Sequence, residues 1–225
     1  MAKPIAINPD RSALLIMDYQ VGIVSMHARE GGAALRQAAE LLAVARQVGI
    51  PVIYTQAGFR QGYPGISDRV PMLSWVKHSG RFLLGDPDTN IHPTVAPASG
   101  DLTVVKRRVS AFAGNDLETI LRAKNIETLI LFGISTGAVV LSTVRHAADA
   151  DYRMIVVKDC CLDNDDEMHR CLIERILPPY AAVLASSEIL PLCVRRENWL
   201  DRLSPSFAER TRIGSGGPAP KRARS

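Results

Sequence analysis

Short, wholly apolar segments alternate with helix-like patterns along most of this chain, and that alternation limits the fold more than any other feature. The apolar segments are Ser12–Asp18, Pro51–Thr55, Leu102–Lys106, Glu127–Phe132, Tyr152–Val157 and Ala181–Ala185. They lack the period-two pattern of a strand with one solvated face, so both faces are expected to be buried, as in a parallel sheet. Strands that alternate with helices form right-handed βαβ units. The sequence therefore predicts an α/β, Rossmann-like three-layer sandwich with about six parallel strands.

Helical patterns occupy the intervals between these segments. The predicted helices are Gly32–Val48, Asn115–Lys124, Thr136–Asp149 and Asp165–Leu177, with shorter ones near Asp68–His78 and from Ser186. One connection, Ala57–Asp101, is 45 residues long. So long an insertion usually carries function, and we expect it to form a lid or a binding wall. The predicted domain covers residues 1–193, with the insertion at about 57–101.

Charge is distributed unevenly along the chain. The formal net charge is +4, but residues 194–225 hold eight Lys or Arg and three acids, a balance of +5. The other residues hold 19 basic and 20 acidic side chains and are close to neutral at −1. The basic character therefore belongs to residues 194–225, which are rich in Gly, Pro, Ser and Arg and are predicted to be a largely disordered tail. No nucleic-acid binding through the folded domain is expected.

Composition narrows the class of protein further. No apolar run approaches the roughly 20 residues that a membrane-spanning helix needs, and residues 1–11 lack the apolar stretch of a signal peptide. The four cysteines lack zinc-type spacing, and the adjacent Cys160 and Cys161 are poorly placed to form a disulfide. We therefore expect a reduced protein in the cytoplasm, without a membrane partner.

Three predicted strands end on polar residues, where open α/β sheets bind their ligands. The first ends at Asp18, the third at Lys106, and the fourth runs into Gly133–Gly137. An acid at the end of a buried strand is costly to bury unless it is paired, and a lysine on a nearby strand is a natural partner. Such a pair has perturbed proton affinities and is suited to acid–base chemistry. Two separately solvated strand-end charges are the alternative.

The segment Gly133–Gly137 also fits the G-x-S-x-G pattern of a nucleophile elbow, with Ser135 as the nucleophile. An α/β-hydrolase triad would need an acid and then a histidine further along the chain. Only His146 and His169 follow, both inside helical patterns and before the last strand. The triad is therefore disfavoured, and Ser135 remains a minor alternative.

Three segments together resemble the isochorismatase-like cysteine hydrolases. They are LLIMDYQ around Asp18, VVKRRVSAF around Lys106, and GISTGAVVLSTVRHAADADY followed by VVKDCC. The resemblance extends from about Ala13 to Leu190. It implies an isochorismatase-like hydrolase fold, homo-oligomers, and cleavage of a C–N bond in amides or of the enol ether of isochorismate. In most members an Asp takes a thiol proton, a Lys lowers the thiol pKa, the thiolate attacks, and backbone N–H groups bind the oxyanion.

The resemblance assigns Asp18 as the acid/base and Lys106 as the lysine, but it departs at the nucleophile. That position, in the pattern G-x-x-T-x-x-C-V, falls on Val139, beside Ala138 in the oxyanion-binding turn. Members that cleave isochorismate also lack the cysteine, and their Asp acts as a general acid. The resemblance thus implies a hydrolase of a small amide or enol ether that uses Asp18 and Lys106 without a thiol. A displaced thiol at Cys160 or Cys161 is one alternative, and a pseudoenzyme that binds a small molecule without turnover is another.

Other residues are predicted to support this site. We expect Gln20 to bind substrate or water, Phe112 to form an aromatic wall, and Thr136 to cap the helix that binds the oxyanion. Tyr63 and Trp75 are expected to close the pocket, although core packing explains Phe112 and Trp75 equally well. The arginines considered for an anionic substrate are Arg60, Arg69, Arg81 and Arg107.

No metal or cofactor is expected. Metal-binding members of the superfamily carry an Asp-x-His motif where this chain has Thr55–Gly58, which contains neither residue. No glycine-rich motif for nucleotide phosphates is present.

Overall fold

Six parallel strands form one sheet at the centre of the molecule. The computed structural model describes residues 7–27 and 31–193, so the predicted tail lies outside the described residues. The strands are β1 (Ser12–Met17), β2 (Val52–Ala57), β3 (Leu102–Lys106), β4 (Thr128–Gly133), β5 (Arg153–Val157) and β6 (Ala182–Leu184). Their order in the sheet is β3-β2-β1-β4-β5-β6. The predicted α/β fold with a parallel sheet is confirmed.

Burial follows the place of each strand in the sheet. All six residues of β1 and all six of β4 are buried, as the unbroken apolar runs predict. The edge strands β3 and β6 are only partly buried. The strand order reverses between β1 and β4, and ligands bind beyond the carboxyl ends of the strands at such a point.

Helices pack against the sheet and fill the connections. They are α1 (Val21–Met26), α2 (Gly31–Val48), α3 (Pro71–Ser79), α4 (Leu117–Ala123), α5 (Leu141–Asp149), α6 (Asp166–Cys171) and α7 (Ser186–Ile189). The π-helical turn Thr136–Val140 directly precedes α5, and a second one, Leu172–Ile176, directly follows α6. The sequence predicted a helix for each of these two regions but not the change of winding, and it did not predict α1. None of the helices within the described residues is long and apolar enough to cross a membrane.

The insertion has a small hydrophobic cluster of its own. Its buried members are Phe59, Tyr63, Ile66, Leu73, Val76 and Phe82. Helix α3 begins at Pro71, later than the predicted start near Asp68. Proline suits the first turn of a helix, where its missing N–H would have no partner within the helix. Asp68 lies before this helix, and its carboxylate accepts a hydrogen bond from the Lys77 ammonium at 2.9 Å. Ile23 and Met26 of α1 pack against this cluster, which places the insertion beside that helix.

Candidate active site

Asp18 and Lys106 form a buried ion pair at the carboxyl end of the sheet. Lys106 Nζ lies 2.7 Å from Asp18 Oδ2, and the two residues are 3% and 5% exposed. Asp18 follows β1 directly and has a φ of 58°, a region that non-glycine residues seldom adopt. Its N–H donates to Thr55 O at 3.0 Å, which holds this turn against β2. The predicted pairing of these two strand-end charges is therefore present.

The Lys106 ammonium has three acceptors for its three protons. Besides Asp18, it donates to Arg108 O at 3.0 Å and to Val109 O at 3.1 Å. An ammonium group has three donors, so the described contacts use its full capacity. These contacts hold the Lys106 ammonium in place against the Asp18 carboxylate.

The two oxygens of Asp18 differ in their surroundings. Oδ2 is held by Lys106, whereas Oδ1 has only a long contact, 3.5 Å, with the Thr55 hydroxyl. Burial raises the pKa of Asp18 above its ordinary value of 3.8, and the charge of Lys106 opposes that rise. Oδ1 is therefore the less engaged of the two carboxylate oxygens.

The chain after β4 forms the opposite wall. The Ile134–Ser135 peptide is cis, and the π-helical turn Thr136–Val140 follows. Ser135, Ala138 and Val139 line the same cavity as Asp18 and Lys106. The Ser135 N–H has no hydrogen-bond acceptor within the described part of the chain, whereas the Ala138 N–H approaches Ser135 O at 3.3 Å.

The cavity has a volume of about 210 Å³ and mostly apolar walls. Phe59, Phe82 and the half-exposed Trp75 come from the insertion and cover the sheet end. Two further polar side chains, His27 and Arg108, complete the lining. A small molecule with an apolar body fits such a site, and its reactive group would face the Asp18–Lys106 pair.

Comparison with known proteins places this geometry in a family. The isochorismatase domain matches residues 12–188, most of the chain. The chain belongs to the isochorismatase family. An isochorismatase family protein of Escherichia coli O157:H7 is 30% identical over 196 residues, which cover 82% of this chain and 97% of that protein. The maleamate amidohydrolase of Pseudomonas putida is 27% identical over 184 residues, covering 80% and 85% of the two chains.

A solved structure agrees with the family assignment. The N-carbamoylsarcosine amidase from Thermoplasma acidophilum superposes with a TM-score of 0.67 at 26% identity, covering 80% of this chain and 98% of that one. Together with the relative named as a maleamate amidohydrolase, this supports a hydrolase of the isochorismatase family.

Gln20 does not line the cavity of this isochorismatase-family protein. Its side-chain amide donates to Ala57 O at 2.8 Å and to Thr89 O at 3.0 Å, and its oxygen accepts from Ala57 N at 2.8 Å. These bonds tie the buried amide to Ala57, where the insertion begins, and to Thr89 within it. The structure therefore gives Gln20 a positioning role instead of the predicted contact with substrate.

Phe112 and Thr136 also lie outside the cavity lining. The Phe112 ring stacks on His146, with ring centroids 4.7 Å apart, in the manner of core packing. The Thr136 hydroxyl contacts Leu162 O at 3.2 Å and His169 Nδ1 at 2.8 Å, so it does not cap the following turn. Neither residue lines the cavity with Asp18.

The cysteines that were considered as displaced nucleophiles are buried away from this cavity. Cys160 and Cys161 are 0% and 3% exposed, and neither lines the cavity with Asp18. Burial raises the pKa of Cys161 to about 12 and raises that of Cys160 as well. Both thiols therefore resist ionisation, which argues against a displaced thiolate.

The histidines do not complete a triad with Ser135. His146 stacks on Phe112 and His169 contacts Thr136, while the Ser135 hydroxyl makes no hydrogen bond with any described residue. No group of three or more His, Cys, Asp or Glu side chains within 7–27 and 31–193 is arranged to hold a metal ion.

The residues predicted to close the pocket or to bind an anion do not all reach the cavity. Trp75 lines the cavity, whereas Tyr63 lies in a neighbouring cleft with Arg60 and Arg107. Arg81 pairs with Asp88 at 2.8 Å and is therefore already occupied.

Sequence reasoning missed His27 and Arg108. His27 comes directly after the unpredicted helix α1, and its Nδ1 lies 2.9 Å from Ile23 O. Arg108 stands two residues beyond Lys106, in the quoted segment VVKRRVSAF. Its position so close to a strand-end lysine was the available signal.

Proposed function

We propose that this protein hydrolyses a small amide, with water as the nucleophile and Asp18 as the acid/base. The observation that carries the proposal is the buried Asp18–Lys106 pair beside a cavity whose nucleophile position is valine. Val139 is 1% exposed and carries no group that can attack a carbonyl. The likeness to a maleamate amidohydrolase and an N-carbamoylsarcosine amidase supports an amide as the substrate.

The first step is attack by water on the amide carbon. Asp18 Oδ1 takes the proton from that water as the new C–O bond forms, because Oδ2 is engaged by Lys106. Lys106 keeps the carboxylate in position through its three contacts. The charge that develops on the carbonyl oxygen is bound by N–H groups at the start of the π-helical turn, and the unpartnered Ser135 N–H supports that role.

The second step is departure of the amine. The C–N bond breaks, and the protonated Asp18 returns its proton to the leaving nitrogen. The products are a carboxylic acid and an amine or ammonia, and the carboxylate of Asp18 is regenerated. Burial raises the pKa of Asp18, which makes its carboxylate a stronger base for the proton transfer of the first step.

Release of ammonia from purified protein tests the proposal. The amides to supply are maleamate and N-carbamoylsarcosine, since relatives are named for them. Asp18→Asn should abolish turnover, and Glu167→Gln, an exposed acid on α6, should leave it unchanged. Iodoacetamide should alkylate the exposed Cys171 without loss of activity. Inactivation traced to Cys160 or Cys161 would contradict the water mechanism.

A binding protein without turnover is the second candidate. The valine at the nucleophile position favours it, because the cavity keeps its shape while the attacking group is absent. The distinguishing observation is a ligand that raises the melting temperature of the protein and is recovered unchanged after long incubation.

A further inference from the structure

The cavity holds one positive charge that none of its own acids neutralises. Its polar side chains are Asp18, His27, Lys106, Arg108 and Ser135, and its other lining residues are apolar or small. The charges of Asp18 and Lys106 cancel within their ion pair. Arg108 therefore leaves the described lining at a balance of +1.

Arg108 is held at the cavity wall by neutral partners. Its guanidinium donates to Arg107 O at 2.6 Å and to Gly65 O at 3.0 Å. No acidic side chain in the described ranges forms an ion pair with it. A guanidinium has five N–H donors, so two bonds to carbonyls leave donors for a ligand. Arginine presents these donors in a planar fork that matches a carboxylate.

The backbone of Arg108 ties this charge to the catalytic pair. Arg108 O accepts a hydrogen bond from Lys106 Nζ at 3.0 Å, while its side chain reaches Gly65 of the insertion. One residue thus contacts the acid/base machinery through its carbonyl and the cavity wall through its guanidinium. A short, hydrogen-bonded segment therefore connects the Arg108 guanidinium with the Asp18–Lys106 pair.

We infer that Arg108 selects substrates that carry a single carboxylate in addition to the amide. The inference rests on the proposed function, whose site it shares. The carboxylate pairs with the Arg108 fork, and the amide carbon faces Asp18. Arg108 is an exposed side chain, so a carboxylate can reach its fork from solvent while the amide lies beside the apolar walls of Phe59 and Phe82. The small cavity excludes bulky acids.

A matched pair of substrates tests this selectivity. Succinamate carries an amide and a carboxylate, whereas succinamide carries two amides and no charge. Arg108→Gln should raise KM for succinamate about tenfold or more and change its kcat little, because the interaction is made before and during the reaction alike. KM for succinamide should not change. Arg108→Lys should recover part of the loss, since it keeps the charge and loses the fork.

A control arginine distinguishes direct contact between Arg108 and the substrate carboxylate from the general electrostatic effect of a nearby positive charge. Arg60 lines the neighbouring cleft and not the cavity, so Arg60→Gln should leave KM for succinamate within about twofold. Equal effects of Arg108→Gln on the charged and the neutral amide would overturn the inference. An equal effect of Arg60→Gln would overturn it as well.

Binding measurements keep the inference separate from the proposed function. Calorimetric titration of the wild-type protein with succinamate needs no turnover. Loss of that binding in Arg108→Gln, together with no ammonia release by the wild type, would uphold the carboxylate site and refute the hydrolysis. Absence of binding by the wild-type protein would refute the carboxylate site, whatever the protein does to neutral amides.

Discussion

Asp18 and Lys106 meet across a strand that separates their own strands in the sheet. Asp18 follows β1, Lys106 ends β3, and β2 lies between them. Lys106 is in register with Ala57 of β2, and the Asp18 N–H donates to Thr55 O of the same strand. The 2.7 Å contact between the two charges thus depends on the register of three neighbouring strands. A slip at β2 would separate the acid from its partner.

Removing Lys106 should damage stability as well as activity. Lys106→Met leaves the Asp18 carboxylate buried without its ionic partner, and breaking a buried pair from one side costs about 3–5 kcal/mol. The free energy of unfolding, measured by urea denaturation, should fall by that order. The double variant Asp18→Asn with Lys106→Met should recover part of the loss, because no uncompensated charge remains. A double variant less stable than the single one would contradict this account of the pair.

The sheet and the Asp18–Lys106 ion pair could be predicted because they depend on local patterns. The apolar runs of β1 and β4 are buried on both faces, which the sequence indicates directly. Asp18 directly follows the apolar run of β1, and Lys106 is the last residue of β3. Parallel strands bring their carboxyl ends to one edge, so the topology alone puts the two charges near each other.

The supporting residues could not be assigned from sequence, because their partners lie far along the chain. Gln20 bonds to Ala57 and Thr89, 37 and 69 residues away, and only the path of the insertion decides that. Thr136 is similarly taken by Leu162 and His169. Side-chain polarity predicts a hydrogen bond but not its partner, which tertiary packing determines.

The pH dependence of turnover should report the protonation of Asp18. A general base acts as its carboxylate, so kcat/KM for the amide should fall as the pH decreases through the pKa of Asp18. Burial places that pKa above 3.8, so activity should be lost at a higher pH than for an ordinary aspartate. Thr55→Val removes a contact that lowers the pKa, and should shift this acid limb to still higher pH. Activity that instead rises on acidification would show Asp18 acting as a general acid, as cleavage of an enol ether requires.

Placing a thiol at position 139 should create a reactive cysteine. Val139 lines the cavity with Asp18, and both side chains are of similar size, so Val139→Cys should fold normally. The exposed Cys171 is first changed to serine to remove its background reaction. Iodoacetamide followed by mass spectrometry should then find an adduct at residue 139. The parent Cys171→Ser protein should remain unlabelled at Cys161, which is buried and has a pKa of about 12. Labelling of Cys161 in that parent would show that its burial is incomplete in solution.

Gly133 should tolerate no side chain, because the strand end is packed directly against its Cα. A Cβ there would lie 2.8 Å from both Met17 Cβ and Met17 O, and 3.1 Å from Val139 Cγ1. Met17 O cannot easily withdraw, since it accepts the Ile134 N–H at 3.2 Å. Gly133→Ala should therefore lower the free energy of unfolding by about 1–3 kcal/mol, as overpacked cores do.

The matched control for this change is Gly65→Ala, where a Cβ meets no atom within 4 Å. It should alter stability by less than about 0.5 kcal/mol, like most surface substitutions. Turnover should also separate the two variants, because a displaced Gly133 moves Ile134 and Ser135 away from the Asp18 pair. Thermal unfolding and ammonia release measured on both proteins check these outcomes. Equal stability of the two variants would mean that β1 and β4 can separate enough to admit a methyl group, and the cavity wall would then be less rigid than its contacts indicate.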